Sequence, residues 1–241
     1  MRLKRILKYL FFIGFLVSLG LLYGFSSVRN SNKKISAVDI QFTDNEYFFL
    51  SKEIVDKLLI QNDSSLINQP KSIVDLFKLE QQVLENPYVE KADVFLTPSG
   101  TLKSIVKQRN PVARILSKKG SYYIDRQGVK IPLSTMYSAR VLLAIGIENE
   151  DDILELKQLL NVILKDSFLK KEITGIEKKP NKEYQFSVRS GNYKIEFGEI
   201  KDAQIKFEKL KAFYSKTFAD KTIEKYKTIS LKYHNQVVCT K

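Results

Sequence analysis

The stretch LENPYVEKADVFLTPSGTLKSIVKQR, residues 84–109, carries the clearest local pattern of the fold. Ala92, Val94 and Leu96 alternate with positions that are charged or expected to be exposed, which is typical of a strand with one buried face. Residues 97–100 (Thr-Pro-Ser-Gly) predict a turn, because proline at the second position presets the required φ. Residues 102–109 return as a second strand, so the stretch predicts a β-hairpin.

The residues upstream of this hairpin change from one periodicity to another. Residues 35–43 alternate with a period of two and predict a half-buried strand. Apolar residues then recur at helical spacing in residues 50–59 and again in residues 76–83. Ser51 is the expected cap of the first helix, and residues 72–75 resemble a capping box for the second. The predicted order is strand, helix, helix, strand, strand.

Downstream of residue 111 the sequence reads as mixed strands and helices, an α+β pattern. The strongest hairpin signal spans residues 184–197, around Ser-Gly-Asn. Residues 141–147 form a continuous apolar run and predict a strand covered on both faces. The last segment, residues 226–239, is expected to be one strand. We therefore expect a second, strand-rich domain flanked by helices.

The amino-terminal end contains a long uncharged stretch, residues 9–28, rich in Leu, Phe, Ile and Val. Twenty helical residues span about 30 Å, the thickness of the hydrocarbon core of a bilayer. Four cations precede the stretch within eight positions, which favours a cytoplasmic amino terminus. A cleavable signal peptide is the alternative, but residues 24–26 fit a cleavage site poorly. The sequence favours an uncleaved membrane helix. Tyr9, Phe15, Leu22 and Val28 are expected to lie along it within the bilayer.

The composition excludes several classes of function. The chain has 241 residues and a formal net charge of +13, but only one His and one Cys. A disulfide framework, a structural zinc site and a multi-histidine metal centre are therefore excluded. His234 and Cys239 would lie about 16 Å apart on opposite faces of one strand. The basic excess is diffuse and no glycine-rich phosphate loop occurs, so we expect no cofactor, no metal, no nucleic-acid partner and no small-molecule substrate.

One acidic cluster keeps an enzymatic alternative open. Glu148, Glu150, Asp151 and Asp152 could bind a cation or supply paired carboxylates for glycoside hydrolysis. Acidic residues are also simply favourable at a helix start, because they interact with the helix dipole. A membrane-tethered hydrolase of the cell envelope is therefore the alternative hypothesis.

The order of several weak motifs resembles that of the bacterial cell-division family FtsQ, called DivIB in Gram-positive bacteria. The resemblance rests on the basic tail, the membrane helix, and residues 38–40, 84–89, 109–113 and 123–128. It implies an α+β chain with a single amino-terminal transmembrane helix, a POTRA domain (βααββ) and a carboxyl-terminal β-domain with flanking helices. The implied boundaries are a cytoplasmic tail at 1–8, the transmembrane helix at 9–28, a linker at 29–34, the POTRA domain at 35–110 and the β-domain at 111–241.

The carboxyl end resembles the terminal strand of that family, in residues 229–233 followed by residues 235–238. In the family this strand lies at a sheet edge and receives a strand from FtsB (DivIC), whose coiled coil also engages FtsL. Tyr233 matches the contacting tyrosine, while Ser230 and Lys232 stand where the family usually has Asp and Arg. The partner-binding residues implied by the resemblance are Ile229, Ser230, Leu231, Lys232 and Tyr233.

The resemblance implies a non-enzymatic scaffold in the inner membrane at the division septum, with the lipid bilayer and FtsB-like and FtsL-like proteins as partners. An edge strand suits this role, because its unpaired main-chain groups can be completed by another strand. The alternative is that residues 226–238 are buried in the middle of the sheet.

Overall fold

The computed structural model describes residues 2–43, 48–60, 66–118, 120–234 and 236–241. The chain divides into two compact units, Met1–Gln108 and Arg109–Lys241.

The first unit begins with a long helix, α1, at Arg2–Ser31. The segment Leu10–Asn30 is long and apolar enough to cross a membrane. No charged side chain interrupts the helix between Lys8 and Arg29, so its apolar surface is continuous. Of the positions named above, Tyr9 lies in this helix, and the side chains of Phe15, Leu22 and Val28 are exposed along it.

The remainder of the first unit is a three-stranded sheet with two short helices, in the predicted βααββ order. The sheet order is β1-β3-β2, with β1 parallel and β2 antiparallel to the central β3. Alternate strand residues such as Leu102 and Val106 face the helices and are fully buried with Leu79 and Val83. The elements are β1 (Ala37–Phe42), α2 (Lys52–Leu58), α3 (Leu76–Leu84), β2 (Val89–Leu96) and β3 (Thr101–Gln108).

The two helix caps of this unit differ in how well the sequence predicted them. Ser51 caps α2, because its hydroxyl accepts from the backbone N–H of Ile54 at 3.4 Å. The capping box expected at residues 72–75 is wrong, since the cap of α3 is Asp75 and not Ser72: Asp75 accepts from Lys78 N at 3.0 Å. Ser72 instead lies in a short 3₁₀ turn that precedes the cap.

The second unit is a nine-stranded sheet in the order β12-β11-β10-β9-β8-β7-β4-β5-β6. Its strands are β4 (Pro111–Ser117), β5 (Gly120–Asp125), β6 (Lys130–Pro132), β7 (Leu142–Ile145), β8 (Ile173–Lys178), β9 (Tyr184–Val188), β10 (Lys194–Gly198), β11 (Thr228–Ser230) and β12 (Val238–Thr240). Its helices are α4 (Glu150–Lys165), α5 (Ser167–Glu172) and α6 (Ala203–Ala219).

The core of this unit lies between the helices and one face of the sheet. A row of paired residues from β4 to β11, including Ile115, Ala144, Ile176 and Phe186, is buried there. The strand expected to be covered on both faces is β7, and that expectation is wrong. Every second residue of β7, beginning with Leu143, is exposed, because the helices pack against the opposite face of the sheet.

The single strand expected over residues 226–239 is also wrong. The segment folds back on itself as two three-residue strands, β11 and β12, which pair in antiparallel register. The intervening stretch is rich in polar residues, and its first part is bent after Leu231. The reversal packs Val237 and Cys239 against the apolar core, which one extended strand would not do.

Candidate functional site

The carboxyl-terminal edge of the nine-stranded sheet is formed by the β11–β12 hairpin. β11 runs parallel to β10, with Ile229 opposite Ile195, and antiparallel to β12, with Ile229 opposite Cys239. The expectation that β11 is itself the outer strand is therefore wrong. Within the described residues, β12 has one neighbouring strand, so the terminal edge belongs to Val238–Thr240.

The five residues implied by the family resemblance divide into two groups. Ile229, Ser230 and Leu231 are buried, and Leu231 donates its backbone N–H to the carbonyl of Glu196 at 2.9 Å. Their side chains hold the hairpin on the sheet and are not presented at its surface. Lys232 and Tyr233 follow the strand, and 51% of the Tyr233 surface is exposed.

Lys232 is held beside the edge by two carboxylates. Its ammonium lies 2.6 Å from Glu183 Oε2 and 3.7 Å from Glu196 Oε2. The hydrogen bond to Glu183 raises the pKa of Lys232 and lowers that of the Glu183 carboxyl. A Cβ at Gly198, which has a φ of +75°, would lie 3.0 Å from Lys232 Cγ. Glycine at this position therefore lets the lysine stem run close to the end of β10.

A lysine of α6 fixes the segment that follows β11. Lys209 Nζ donates to the carbonyl oxygens of Tyr233, at 2.6 Å, and of His234, at 3.1 Å. One turn earlier, Lys206 donates to Glu199 O at 2.6 Å, and its ammonium lies 4.8 Å from the centre of the Phe197 ring. Burial lowers the pKa of Lys206, and the positive charge of Lys209 lowers it further. Lys206 thus ties α6 to the end of β10, and Lys209 ties it to the bend after β11.

A shallow cavity of about 330 Å³ lies between α6 and this segment. Its lining includes Lys206, Lys209 and Lys232 together with the exposed Tyr233 and His234. The three ammonium groups already contact carbonyl or carboxylate oxygens, so the lining is charged but internally paired. Tyr233 therefore borders a polar, charged surface.

His234 and Cys239 do not form a catalytic pair on one strand. His234 lies in the bend after β11, whereas Cys239 lies in β12 and is partly buried. Burial raises the pKa of the Cys239 thiol, which disfavours the reactive thiolate. The separation expected from a single extended strand does not apply, because that strand is absent. Asn235, included in the family motif, lies outside the described residues.

The acidic cluster proposed for the enzymatic alternative starts α4. Asn149 accepts from Asp152 N at 2.9 Å, and Asp152 Oδ2 accepts in return from Glu148 N at 2.9 Å and from Asn149 N at 3.2 Å. Glu150 lies 2.5 Å from the Lys130 ammonium. Two of the four carboxylates, those of Asp152 and Glu150, are therefore engaged in capping or ion pairing and stabilise the fold.

Lys178 binds the other oxygen of Asp152 and fixes α4 to the sheet. Its ammonium lies 2.6 Å from Asp152 Oδ1 and 2.5 Å from Glu155 Oε2, and Tyr184 donates to Glu155 at 2.7 Å. Burial alone would raise the pKa of Asp152, but the bonds from Lys178 and the backbone lower it below its ordinary value. A general acid in glycoside hydrolysis needs a raised pKa, so this geometry does not favour the hydrolase. Among the described residues, no acidic, His or Cys group is arranged to hold a metal ion.

Sequence reasoning missed three of these contacts. Lys206 and Lys209 lie three residues apart on α6, a spacing that places them on one helical face, but nothing local indicates what that face touches. Lys178 is the last residue of β8. It contacts α4 because the strand order of the sheet brings the end of β8 to that helix. Long-range pairing, and not local periodicity, brings these lysines to their partners.

The two units define a class of protein: a single-pass membrane protein with a POTRA-like domain followed by a large β-domain. Residues 33–107 match the model of the POTRA-like domain, and residues 110–240 match the model described as FtsQ/DivIB, C-terminal related. The chain belongs to the FtsQ/DivIB family of bacterial cell-division proteins. No curated protein matches it closely enough to be compared with it.

Proposed function

We propose that this chain is a non-enzymatic, single-pass scaffold of the bacterial division machinery that binds an FtsB (DivIC)-like protein by strand addition at β12. An FtsL-like protein is engaged through the same complex. The observation that carries the proposal is the position of Val238–Thr240 at the end of the nine-stranded sheet, with one neighbouring strand among the described residues. The main chain at such an edge supplies hydrogen bonds to an incoming strand.

Side chains near the edge supply selectivity. Val238 is 37% exposed on β12, and Tyr233 is 51% exposed in the bend that follows β11. An exposed tyrosine offers a large rigid ring and a hydroxyl at low entropic cost, as hot-spot residues in interfaces do. Ile229, Ser230 and Leu231 contribute by holding the hairpin in place, while Lys232 and Tyr233 are the residues that contact the partner.

The membrane helix increases the effect of a modest intrinsic affinity. Four cations precede the apolar segment of α1, which supports a cytoplasmic amino terminus and an extracytoplasmic location for both domains. A partner anchored in the same bilayer then meets β12 at a raised effective concentration. Recruitment to the septum follows from this membrane-confined assembly.

The absence of enzymatic activity is part of the proposal. The family is generally non-enzymatic, and two of the four carboxylates of the alternative hydrolase, Glu150 and Asp152, are engaged by the α4 cap or by lysines. Replacement of Glu148 and Asp151 by Gln and Asn leaves the α4 cap intact, so it tests activity without disturbing the fold. A cell-wall hydrolytic activity that disappears in this variant would contradict the scaffold assignment.

Binding measurements test the strand addition. The full chain in nanodiscs is titrated with the extracytoplasmic segment of the FtsB-like protein of the same organism. We expect Tyr233→Ala to weaken binding about tenfold, which corresponds to about 1.4 kcal/mol. Leu154→Ala is the matched control, since Leu154 is an exposed apolar residue on α4. Equal binding by both variants and the native chain would reject Tyr233 as a contact.

A fluorescent fusion that tolerates the extracytoplasmic compartment tests the cellular role. The scaffold predicts recruitment to midcell, and it predicts that recruitment of the FtsB-like protein fails when β12 is disrupted. An even distribution around the cell membrane at all stages of division would contradict the assignment.

A further inference from the structure

The structure joins the end of α1 to the POTRA-like domain without a loose spacer. Lys34 forms a bridge with Pro70, and Lys71 N donates to Lys33 O at 3.0 Å. Ile35 N donates to Gln69 O at 2.9 Å. The residues that leave the membrane helix are thus hydrogen-bonded to the segment that leads into α3.

One lysine links this segment to α1 itself. Lys71 Nζ lies 3.4 Å from Asn30 Oδ1, in the last turn of α1, and 2.7 Å from Thr97 O in the β2–β3 turn. Lys33 Nζ donates to Pro98 O of the same turn at 2.9 Å. Gly100 completes this packing, since a Cβ there would lie 2.8 Å from Lys34 O. The domain is therefore fixed close to the point where α1 ends.

Large apolar side chains are exposed next to this junction. Only one residue separates Lys71 from Ile73, which is 58% exposed. Phe77, at the start of α3, is 72% exposed, more than any other large apolar side chain outside α1 in the described residues. Exposed apolar groups of this size, clustered in one stretch, mark an interaction surface.

The surrounding charge is strongly basic. Residues 29–36 contain Arg29, Lys33 and Lys34 and no acid, and residues 66–78 contain Lys71 and Lys78 against one acid, Asp75. Apolar side chains flanked by lysines are characteristic of segments that lie in the interface of a membrane. Lysines there contact the phosphates of anionic lipids.

We propose that Ile73 and Phe77 insert into the headgroup region of the bilayer that α1 crosses, with Lys33, Lys34 and Lys78 facing anionic lipid phosphates. This juxtamembrane surface orients the POTRA-like domain on the membrane. The proposal requires that α1 spans the bilayer, and it does not depend on strand addition at β12.

Site-directed labelling of the full chain in nanodiscs tests the proposal. Cys239→Ser removes the only cysteine, and an environment-sensitive fluorophore is attached after Ile73→Cys, Phe77→Cys, Lys91→Cys or Leu16→Cys. Lys91 is the matched control, because it is exposed on β2 about 17 Å along the strand from Leu96, which precedes the turn. Leu16 reports whether α1 itself is in the bilayer.

Quenching by a lipid carrying a nitroxide in its headgroup region distinguishes the outcomes. We expect labels at 73 and 77 to be quenched roughly twofold more strongly than the label at 91, as for groups at the boundary between headgroups and acyl chains. Replacing phosphatidylglycerol by phosphatidylcholine should reduce that quenching. Quenching at 73 and 77 equal to that at 91, with the label at 16 shielded from water, would overturn the proposal. An exposed label at 16 would instead reject the membrane helix itself, and with it the proposal.

Discussion

Ile229 pairs with Cys239 in antiparallel register, so the strand that ends the nine-stranded sheet is β12 and not β11. β11 is covered on its other side by β10, through the parallel pairing of Ile229 with Ile195. The buried residues that the family resemblance singles out, Ile229–Leu231, therefore support the edge, and Val238–Thr240 form it. The proposed acceptor strand begins eight residues after the last residue of β11, Ser230.

Proline substitutions in β12 separate edge pairing from hairpin pairing. Successive N–H groups of a strand point to opposite edges, and proline removes one of them. We therefore expect Val238→Pro and Cys239→Pro to differ. The variant that lacks the N–H facing the free edge should bind the partner about tenfold or more weakly while its hairpin stays folded. The variant that lacks the N–H facing β11 should lose the hairpin. Calorimetric titration with the FtsB-like segment, together with circular dichroism, measures both effects. Native binding by both variants would mean that β12 is not the acceptor strand.

Removal of the Lys209 ammonium should loosen the segment that carries Tyr233. Lys209→Met leaves the carbonyl oxygens of Tyr233 and His234 without their charged donor. The segment is then less ordered in the free protein, so binding the partner has a larger conformational-entropy cost. We expect weaker partner binding with a loss of stability of about 0.5 kcal/mol or less, because the site is exposed. Lys211→Met is the control, because Lys211 lies on the same helix as Lys209 but pairs with Asp166, which caps α5. An equal effect of the two variants on binding would contradict a positioning role for Lys209.

The ion cluster under α4 should contribute more to the stability of the second unit than an exposed ion pair does. The Lys178 side chain is 9% exposed, and Lys178→Met leaves the Asp152 and Glu155 carboxylates without their cation. We expect a loss of about 2 kcal/mol, less than for a fully buried pair, because Asp152 is buried but the Glu155 side chain is 42% exposed. Lys130→Met, at a side chain that is 51% exposed, should cost about 0.5 kcal/mol or less. Thermal unfolding of the detergent-solubilised chain measures both, and similar melting temperatures for the two variants would refute this ranking.

The same cluster gives the fold an acid-sensitive component. The pKa values of Asp152 and Glu155 lie below their ordinary values of 3.8 and 4.5, because both carboxylates bond to Lys178. Their contribution to stability is complete above these ordinary values and is lost as the pH falls through the lower pKa values of the folded state. The melting temperature of the native chain should therefore fall steeply below about pH 4, and less steeply in Lys178→Met. Parallel pH profiles for the two chains would contradict this assignment.

Local signals predicted much of the fold. The β2–β3 hairpin forms as expected because Pro98 and Gly100 suit their turn, and Gly100 has a φ of +101°. The β9–β10 hairpin also forms as expected around Gly191, where an added Cβ would lie 2.7 Å from Tyr193 Cε1. Both features depend on residues within a few positions of one another, which a sequence pattern contains.

The edge of the sheet could not be predicted in the same way. Val237, Val238 and Cys239 follow a polar stretch, and their return along β11 depends on pairing with residues about ten positions away. The exposure of Leu143 depends on the helices covering only one face of β7. The contact of Lys209 with Tyr233 spans 24 residues. Each of these outcomes is fixed by tertiary packing, which periodicity does not encode.

Amide hydrogen exchange at β12 tests the central claim most directly. The full chain in nanodiscs is compared with and without the FtsB-like extracytoplasmic segment, and exchange is followed at Val238–Thr240 and at the opposite edge strand, β6. Strand addition predicts slower exchange in β12 on binding and no change in β6, because new main-chain hydrogen bonds form only at the terminal edge. Saturating binding with unchanged exchange throughout β12 would contradict it.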